Sequence, residues 1–337
     1  MSFVIAEIGV NHNGSLALAL EMVDAASEVG ADAVKFQTFH AESLVTAGAP
    51  KAAYQSETTG AGSQLEMLRN LELDLASHLA LQARAHARGV EFLSAPFDLR
   101  SVALLGEIGV SRIKVPSGHL TNVPYLRAVA ALGLPVILST GMATLEEVAV
   151  SIEVLERAGV ARGDLVVLHC TTEYPTPIDD VNLLAMVTMR EALRVRVGYS
   201  DHTEGIAVPI AAVALGAEVI EKHFTLSRSM PGPDHRASIE PDQFERMVRS
   251  IREVETSLGD GLKRPSHREM ANIGAARTSI VAAREVLAGE TLTEDVLAVK
   301  RPGTGTSPLR WDDVVGTTAR RAYRADELID EPEAHDA

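Results

Sequence analysis

The 337-residue sequence has one cysteine, no long apolar run and no excess of basic residues. Cys170 has no second cysteine to pair with, so an internal disulfide is excluded and a reducing compartment is the simpler expectation. No segment reaches the roughly 18 apolar residues of a membrane-spanning helix, and the N-terminus lacks the basic and apolar regions of a signal peptide. These absences predict a cytoplasmic protein without a membrane partner.

The charge balance is acidic, with 46 Asp and Glu against 31 Lys and Arg and a net charge of -15. A chain of this charge repels phosphate backbones and anionic membranes unless its basic residues cluster locally. Nucleic acid is therefore not an expected partner. Hydrophobic residues make up 46% of the sequence, which is enough to form the large core of a globular protein.

Short apolar runs rich in β-forming residues alternate with longer segments of helical periodicity. Eight such runs begin at Phe3, Ala33, Glu91, Ile113, Pro135, Leu165, Val195 and Glu218. Eight strand–helix units in about 258 residues match a (β/α)₈ TIM barrel in number and size. The sequence therefore predicts an α/β fold with a barrel over residues 1–260.

An open, doubly wound sheet is the alternative that uses the same elements. Its first turn would carry glycines at the spacing that binds a dinucleotide, and "EIGVNHNG" does not have that spacing. All eight predicted strands also end in polar residues, whereas an open sheet needs them at one switch point. The pattern favours the closed barrel, in which the carboxyl ends of the strands form the floor of the active site.

The character of the chain changes after Leu258. Residues 261–278 are polar, basic and contain Gly and Pro, which predicts a linker. Residues 279–331 have short apolar runs and few helical segments, which predicts a small β-rich domain. The acidic residues 332–337 are expected to form a frayed tail.

The predicted strand ends bring lysines, hydroxyls and imidazoles to one cavity. Two lysines with several hydroxyls suit a phosphorylated, multiply charged small molecule, because ammonium groups supply charge while hydroxyls direct hydrogen bonds. For any single lysine, a salt-bridged structural role is the commoner one. The candidates at these ends include Glu7, Lys35, Gln37, Ser94, Lys114, Ser117, Ser139, Tyr174 and Ser200.

His202 and His223 are predicted at the ends of the seventh and eighth strands, which lie about 4.8 Å apart in a sheet. Two neutral imidazoles at such positions can hold a divalent metal. They can equally form a hydrogen-bonded structural pair, and their spacing does not choose between the two. Asp234, in the rigid "PGPDH" turn, either accepts hydrogen bonds from a substrate or caps the turn.

Short motifs of polar residues and glycines are spread over nearly the whole chain, and they are "AEIGVNHNG", "GADAVKFQT", "IKVPSG", "PVILSTGM", "VLHCTTEYPTP", "GYSDHT", "EKHFT", "PGPDH" and "KRPGTG". Taken together and in this order, these motifs resemble the sialic acid (nonulosonate) synthase family. The small C-terminal module resembles the antifreeze-like (SAF) domain that follows the barrel in that family.

The resemblance implies an enzyme that condenses phosphoenolpyruvate with an N-acetylated hexosamine to give a nine-carbon 2-keto acid and phosphate. The hexosamine would be N-acetylmannosamine or 2,4-diacetamido-2,4,6-trideoxymannose, and the product N-acetylneuraminate or N,N'-diacetyllegionaminate. The resemblance also implies a divalent metal, Mn²⁺ or Mg²⁺, and a homodimer in which the C-terminal domain of one subunit covers the barrel of the other.

Roles carried over from the family follow the matching motifs. His202 and His223 would bind the metal, and Arg301 would reach the sugar of the neighbouring subunit. Glu7, Lys35, Lys114 and His119 are assigned to catalysis. The residues assigned to phosphoenolpyruvate are Lys35, Lys114, Ser94, Ser117, Ser139 and Ser200, and those assigned to the sugar are Glu7, Gln37, Tyr174 and Asp234.

Three positions depart from the family pattern. His119 stands where an acid is common, Thr172 where an asparagine is common, and Ser94 where a threonine is common. The first change leaves open which group handles protons, although an imidazole can do so near neutral pH. Two alternatives to the synthase remain: a Schiff-base pyruvate aldolase that uses Lys35 or Lys114, and a sugar-binding relative without catalysis.

Overall fold

The computed structural model describes residues 1–51, 56, 58–60 and 62–331. The chain divides into two compact units, Met1–Gly259 and Asp260–Ala337. The predicted tail, residues 332–337, lies outside the described residues.

The first unit is built on eight parallel strands, which neighbour each other in the order β3-β2-β1-β8-β7-β6-β5-β4. β3 and β4 at the two ends of this order also lie side by side, so the sheet closes on itself. The strands are β1 (Phe3–Gly9), β2 (Ala33–Thr38), β3 (Glu91–Pro96), β4 (Ile113–Val115), β5 (Val136–Ser139), β6 (Leu165–Cys170), β7 (Arg196–Asp201) and β8 (Val219–His223).

At least one helix follows every strand of the barrel. Several of these helices begin at a side chain that accepts a hydrogen bond from the first turn, as Thr144 does from the N–H of Glu147. The helices are α1 (Leu16–Glu28), α2 (Ala41–Leu44), α3 (Gln64–Arg69), α4 (Leu75–Ala87), α5 (Leu99–Ile108), α6 (Val123–Ala130), α7 (Leu145–Arg157), α8 (Leu184–Leu193), α9 (Ala207–Ala214) and α10 (Pro241–Leu258).

The interior of the barrel is stacked in layers, because alternate residues of each strand point inward. The lower layer is apolar and buried, and it is made of Ile5, Ala33, Leu93, Ile137, Val166, Leu168 and Val219. Two residues further along the same strands the inward side chains become polar: Ile5 is followed by Glu7, Ala33 by Lys35 and Val219 by Glu221. The apolar layer thus forms the floor on which the polar layer rests.

A glycine admits the close approach of strands around this interior. A Cβ on Gly198 of β7 would lie 2.4 Å from the carbonyl oxygen of Val219 and 2.6 Å from Cδ2 of Leu168. A side chain at this position would therefore force the neighbouring strands apart. The outer faces of the strands pack against the helices in a second, larger apolar core.

The second unit contains α11 (His267–Ala276), α12 (Trp311–Val314) and an antiparallel pair, β9 (Ser279–Ala282) with β10 (Leu297–Lys300). Isolated bridges such as Val286 with Tyr323 extend the β structure. Its own core includes Ile280, Val296 and Tyr323. The unit is small and mostly irregular, with a separate hydrophobic centre.

The predicted fold class, a TIM barrel followed by a small β-rich domain, is confirmed, and the doubly wound alternative is wrong. The segment assigned as a linker contains α11, which starts at a capping box formed by Ser266 and Glu269. No helix among the described residues is long and apolar enough to cross a membrane.

Candidate active site

Four charged side chains meet on the polar layer of the barrel. Nζ of Lys35 lies 2.6 Å from Oε2 of Glu7 and 3.8 Å from Oε1 of Glu221. Nζ of Lys114 lies 3.1 Å from the same Glu221 oxygen. All four side chains are at most 6% exposed. We call Glu7, Lys35, Lys114 and Glu221 the four-charge cluster.

The register of the strands explains why these side chains meet. Glu7 of β1 pairs with Lys35 of β2 on one side and with His223 of β8 on the other. Glu221 precedes His223 by two residues and therefore shares its face of β8. Ser200 of β7 is opposite Glu221 and donates a hydrogen bond of 3.0 Å to its Oε1. The cluster is thus a direct consequence of strand pairing.

Burial and mutual attraction set the protonation of the cluster. Burial raises the pKa of Glu7 to about 7, although Lys35 opposes the rise. Glu221 is equally buried, but attraction to Lys114 and Lys35 outweighs burial and lowers its pKa to about 2. Burial lowers the pKa of Lys114, whereas Glu221 and Glu7 outweigh burial at Lys35 and raise its pKa. Glu7 is therefore the carboxyl of the cluster that exchanges a proton near neutral pH.

The two predicted histidines do come together. The ring centroids of His202 and His223 are 5.4 Å apart, and the ring of Tyr174 lies 4.2 Å from the first and 5.7 Å from the second. Nδ1 of His202 donates to the carbonyl of Thr171 at 2.6 Å, so its Nε2 carries the free lone pair. Nδ1 of His223 is buried and has no hydrogen-bond partner among the described residues. We call His202 and His223 the imidazole pair.

The imidazole pair fits a divalent cation. Burial lowers the pKa of His202 to about 4 and that of His223 well below its usual range, so both rings are neutral and can coordinate. Within the described ranges, no group of three or more His, Cys, Asp and Glu side chains is placed to hold a metal ion. Two protein ligands would leave coordination positions open for water and substrate, and open positions are a feature of catalytic metal sites.

The predicted serines differ in their hydrogen bonds. The Oγ of Ser139 is buried and has no partner in the described part of the chain. Ser117 Oγ, in contrast, accepts from the N–H of Gly141 at 3.0 Å and lies 3.2 Å from the sulfur of Cys170. Ser94 is fully buried, and its Oγ lies 2.6 Å from Oγ1 of Thr38. Ser139 is therefore the serine of this group whose hydroxyl is ready for a ligand.

Two of the residues predicted to face a sugar lie near the cluster. Gly9 has a φ of +56°, and a Cβ there would lie 3.0 Å from Oε1 of Glu7 and 3.3 Å from Nε2 of Gln37. The carboxylate and the amide are therefore close neighbours. Asp234 is buried, which raises its pKa to about 6, and it is near enough to Lys35 for that charge to oppose the rise.

One predicted residue of the barrel, His119, is not brought into the cluster. His119 stacks on the ring of Tyr125 with centroids 4.3 Å apart, and its Nδ1 lies 3.3 Å from Nδ2 of Asn122. Arg301 is exposed and belongs to the second unit, where it follows β10. The catalytic role of His119 and the sugar-binding role of Arg301 stay predictions.

Glu221 is the member of the four-charge cluster that was not predicted from the sequence. It lies in "EVIEKHF" beside Lys222, which points to the opposite side of the strand. The signal that would have found Glu221 is its spacing of two from His223, because period two places both side chains in the cavity. Lys222 itself pairs with Asp201 at 2.6 Å.

A cleft of about 800 Å³ lies between the ends of β5 and β6 and the helices α7 and α8 that follow them, and none of the four charged residues of the cluster lines it. It is lined by Thr140, Cys170 and Thr171, among others. Cys170 contacts Ser117, and the carbonyl of Thr171 holds His202, so the cleft adjoins the proposed binding groups. Its volume suits a small organic molecule.

Comparison with known proteins identifies the family of the barrel and of the C-terminal unit. Residues 22–263 match the model of the NeuB family, and residues 277–333 match that of the SAF domain. The chain belongs to the NeuB family. The predicted family and the predicted antifreeze-like C-terminal domain are both confirmed.

Several relatives of this NeuB-family chain match over most of their length. It is 48% identical to the N,N'-diacetyllegionaminic acid synthase of Campylobacter jejuni, covering 98% of this chain and 99% of the relative. It is 49% identical to the synthase of the same name from Legionella pneumophila, covering 94% and 89%. A crystal structure of N-acetylneuraminic acid synthetase from Leptospira borgpetersenii matches at 34% identity and a TM-score of 0.71, covering 81% and 90%. The prediction of a nonulosonate synthase, a transferase-type enzyme, is confirmed.

Proposed function

We propose that this enzyme is an N,N'-diacetyllegionaminate synthase, which condenses phosphoenolpyruvate with 2,4-diacetamido-2,4,6-trideoxymannose and releases phosphate. The observation that carries the proposal is the four-charge cluster beside the imidazole pair, in a chain 48% and 49% identical to two synthases of this name. N-acetylmannosamine, the substrate of the sialic acid branch, is the second candidate.

Phosphoenolpyruvate would bind to the two lysines. Its carboxylate and phosphate carry charges that Lys35 and Lys114 attract, and the unpartnered hydroxyl of Ser139 can donate to one of their oxygens. Glu221 lies between the two ammonium groups and fixes their positions before the substrate arrives. Interactions of this kind accelerate the reaction only to the extent that they strengthen in the transition state.

The reaction forms one carbon–carbon bond and one carbon–oxygen bond to water, and it breaks the carbon–oxygen bond that joins C2 to phosphate. C3 of phosphoenolpyruvate attacks the aldehyde carbon of the open-chain sugar, and water adds to C2. The tetrahedral intermediate then expels phosphate and leaves the 2-keto acid. Glu7, with a pKa of about 7, is suited to take a proton from the water or return one to the new hydroxyl. Asp234, with a pKa of about 6, is suited to hold a sugar hydroxyl.

A divalent metal, Mn²⁺ or Mg²⁺, would be held by His202 and His223. Bound there, it would polarise the carbonyl oxygen of the sugar and make its carbon more electrophilic. The hydrogen bond from His202 to Thr171 keeps that ring in the tautomer that can coordinate.

The aldolase alternative is disfavoured by the charges of the two lysines. A Schiff base needs a neutral amine, but Glu221 and Glu7 raise the pKa of Lys35 and keep it protonated. Lys114, whose pKa burial lowers, is still bound to Glu221 at 3.1 Å. Borohydride reduction with pyruvate should therefore leave no covalent adduct on either lysine.

The test is a phosphate-release assay with phosphoenolpyruvate and each sugar, with Mn²⁺, with Mg²⁺ or with a chelator. We expect release only when both a sugar and a metal are present, and a higher kcat/KM for the diacetamido sugar. A higher value for N-acetylmannosamine would reassign the substrate. Sugar binding without any phosphate release would support the alternative of a sugar-binding relative without catalysis. Full activity in the presence of the chelator would contradict the proposed metal requirement.

We also propose that the enzyme is a homodimer in which Arg301 of one subunit completes the sugar site of the other. The test mixes two inactive variants, His223→Ala and Arg301→Ala, after separate purification. A heterodimer of these chains has one site with both residues intact, so random reassociation should restore about a quarter of the sites. No recovery in exchanged dimers would show that Arg301 does not act across subunits.

A further inference from the structure

A second buried ion pair lies behind the imidazole pair, outside the four-charge cluster. The side chains of Asp201 and Lys222 are both 0% exposed, and Nζ of Lys222 is 2.6 Å from Oδ2 of Asp201. The two residues are opposite each other in the β7–β8 ladder. An ion pair removed from water in this way is costly to desolvate, and stability alone does not account for it well.

The position of this pair in the chain ties it to the two histidines. Asp201 immediately precedes His202, and Lys222 immediately precedes His223. Lys222 also donates to the carbonyl of Thr203, the residue that follows His202. The ammonium group of Lys222 therefore binds the residues on both sides of His202, and the residue that follows Lys222 in the chain is His223.

The carboxylate of Asp201 completes the arrangement. Its Oδ1 accepts from the N–H of Thr203 at 2.9 Å, and its Oδ2 accepts from Lys222. The backbone on either side of His202 is thereby closed into a small turn. The hydrogen bond from Nδ1 to Thr171 fixes the ring of His202, but the position of its Cα depends on this turn.

We propose that the Asp201–Lys222 pair is a positioning device that sets the distance and direction between His202 and His223 for a shared divalent metal. The inference rests on the proposed metal-binding role of the imidazole pair. Successive side chains of a strand point to opposite faces, so Asp201 and Lys222, each next to a histidine that faces the cavity, point away from it. They therefore act through the two histidines and not on the substrate. Groups that orient metal ligands typically change metal affinity by about 10- to 100-fold when they are removed.

The test compares two double variants that each remove one ion pair between the same two strands. Asp201→Asn with Lys222→Met removes the buried pair, and Asn keeps the oxygen that accepts from Thr203. Arg196→Gln with Glu218→Gln is the control, because this pair joins the opposite ends of the strands at 2.8 Å and its side chains are 49% and 47% exposed. Mn²⁺ binding is measured by titration calorimetry and by the electron paramagnetic resonance signal of free Mn²⁺, without substrates.

We expect the first double variant to remain folded by circular dichroism and to bind Mn²⁺ at least about tenfold more weakly, whereas the control stays within about twofold of the wild type. A folded first variant with unchanged Mn²⁺ affinity would overturn the positioning role. Absence of Mn²⁺ and Mg²⁺ binding to the wild type would instead overturn the proposed metal site, so the two failures are distinguishable.

If the first variant does not fold, Lys222→Arg tests the positioning role of the Asp201–Lys222 pair. The guanidinium keeps the charge opposite Asp201, but its planar fork cannot occupy the place of the ammonium between Asp201 and Thr203. We expect a folded protein with Mn²⁺ affinity reduced by about tenfold, and an unchanged affinity would again overturn the proposal. At subsaturating Mn²⁺, the kcat of this variant should be lower than that of the wild type, and at high Mn²⁺ it should partly recover.

Discussion

The interior of the barrel and the C-terminal unit hold their ion pairs in opposite surroundings. In the barrel, Lys35 and Lys114 pair with carboxylates at 4% exposure, on top of an apolar layer. In the C-terminal unit, Arg321 pairs with Asp330 at the surface, where both side chains are 45% exposed. Exposed pairs contribute little because water solvates the separated charges almost as well. In this comparison the buried ion pairs, whose desolvation is unfavourable, lie in the proposed active site, whereas the pair of the C-terminal unit lies at the surface.

The largest expected effect comes from breaking the buried cluster. Glu221→Gln would leave Lys35 and Lys114 facing each other with one carboxylate fewer, and we expect the free energy of unfolding to fall by about 3–5 kcal/mol. Phosphate release should fall by about 10²-fold or more, since removal of one such electrostatic contact typically costs about 3 kcal/mol in the transition state. Denaturant unfolding and steady-state kinetics measure the two effects.

Glu218→Gln is the matched control for this experiment, because Glu218 directly precedes the same strand but pairs with Arg196 at the surface. Its loss should cost about 0–1 kcal/mol and leave kinetics unchanged. Equal losses in the two variants would contradict the distinction between buried and exposed charges.

A smaller effect is expected at Ser139. Its buried hydroxyl has no partner among the described residues, so Ser139→Ala should not destabilise the protein. The variant should raise the KM for phosphoenolpyruvate by about tenfold, corresponding to about 1.4 kcal/mol for one hydrogen bond to a charged group. Ser94→Ala serves as the contrast, since that hydroxyl already bonds to Thr38 and its loss should lower stability instead. An unchanged KM in Ser139→Ala would show that the Ser139 hydroxyl does not bind phosphoenolpyruvate.

The pH dependence of stability offers a third comparison. Burial raises the pKa of Asp234 from 3.8 to about 6, so the folded protein binds this proton more tightly than the unfolded chain. Stability from this group is present below about pH 4 and declines as pH rises through about 6, with a total change on the order of 3 kcal/mol. Asp234→Asn should therefore be more stable than the wild type at pH 7 and nearly equal to it at pH 4. A wild-type advantage at pH 7 would contradict the raised pKa.

The smallest effect is expected in the C-terminal unit. Arg321→Ala removes an exposed pair with Asp330 and a contact with the ring of Tyr323 at 4.3 Å. We expect the unfolding midpoint to move less than in Glu221→Gln, and the difference from the wild type to shrink as salt is added. A shift as large as that of the buried cluster would show that exposure is a poor guide here.

The barrel was accessible from the sequence because its signals are local. Apolar runs, helix caps and polar strand ends each occupy a few consecutive residues, and eight repeats of the same unit reinforce one another. The imidazole pair was accessible for the same reason, since His202 and His223 each end an apolar strand. The fold of the segment after Leu258 was less accessible, because none of the residues of α11 is buried and no core-facing side of the helix marks it in the sequence.

The cluster was only partly accessible because it depends on register between strands. Lys35 and Lys114 were expected to converge, but their shared partner Glu221 is more than 100 residues from Lys114 in the chain. The residues next to Lys114 in the sequence contain no pattern that predicts Glu221 as its partner. The stacking of His119 on Tyr125 and the burial of Ser94 beside Thr38 likewise arise from contacts between elements, which sequence spacing does not determine.

The four charges of the cluster cancel when all of them are ionised: two ammonium groups face two carboxylates. Lys35 and Lys114 are therefore already paired with Glu7 and Glu221, and an incoming anion must compete with these carboxylates for the two ammonium groups. If the two lysines bind phosphoenolpyruvate as proposed, the same competition would act on inorganic phosphate after the new bond has formed. A pocket of two unopposed lysines would retain that product, whereas this one would return to its own internal salt bridges and release the phosphate before the next turnover.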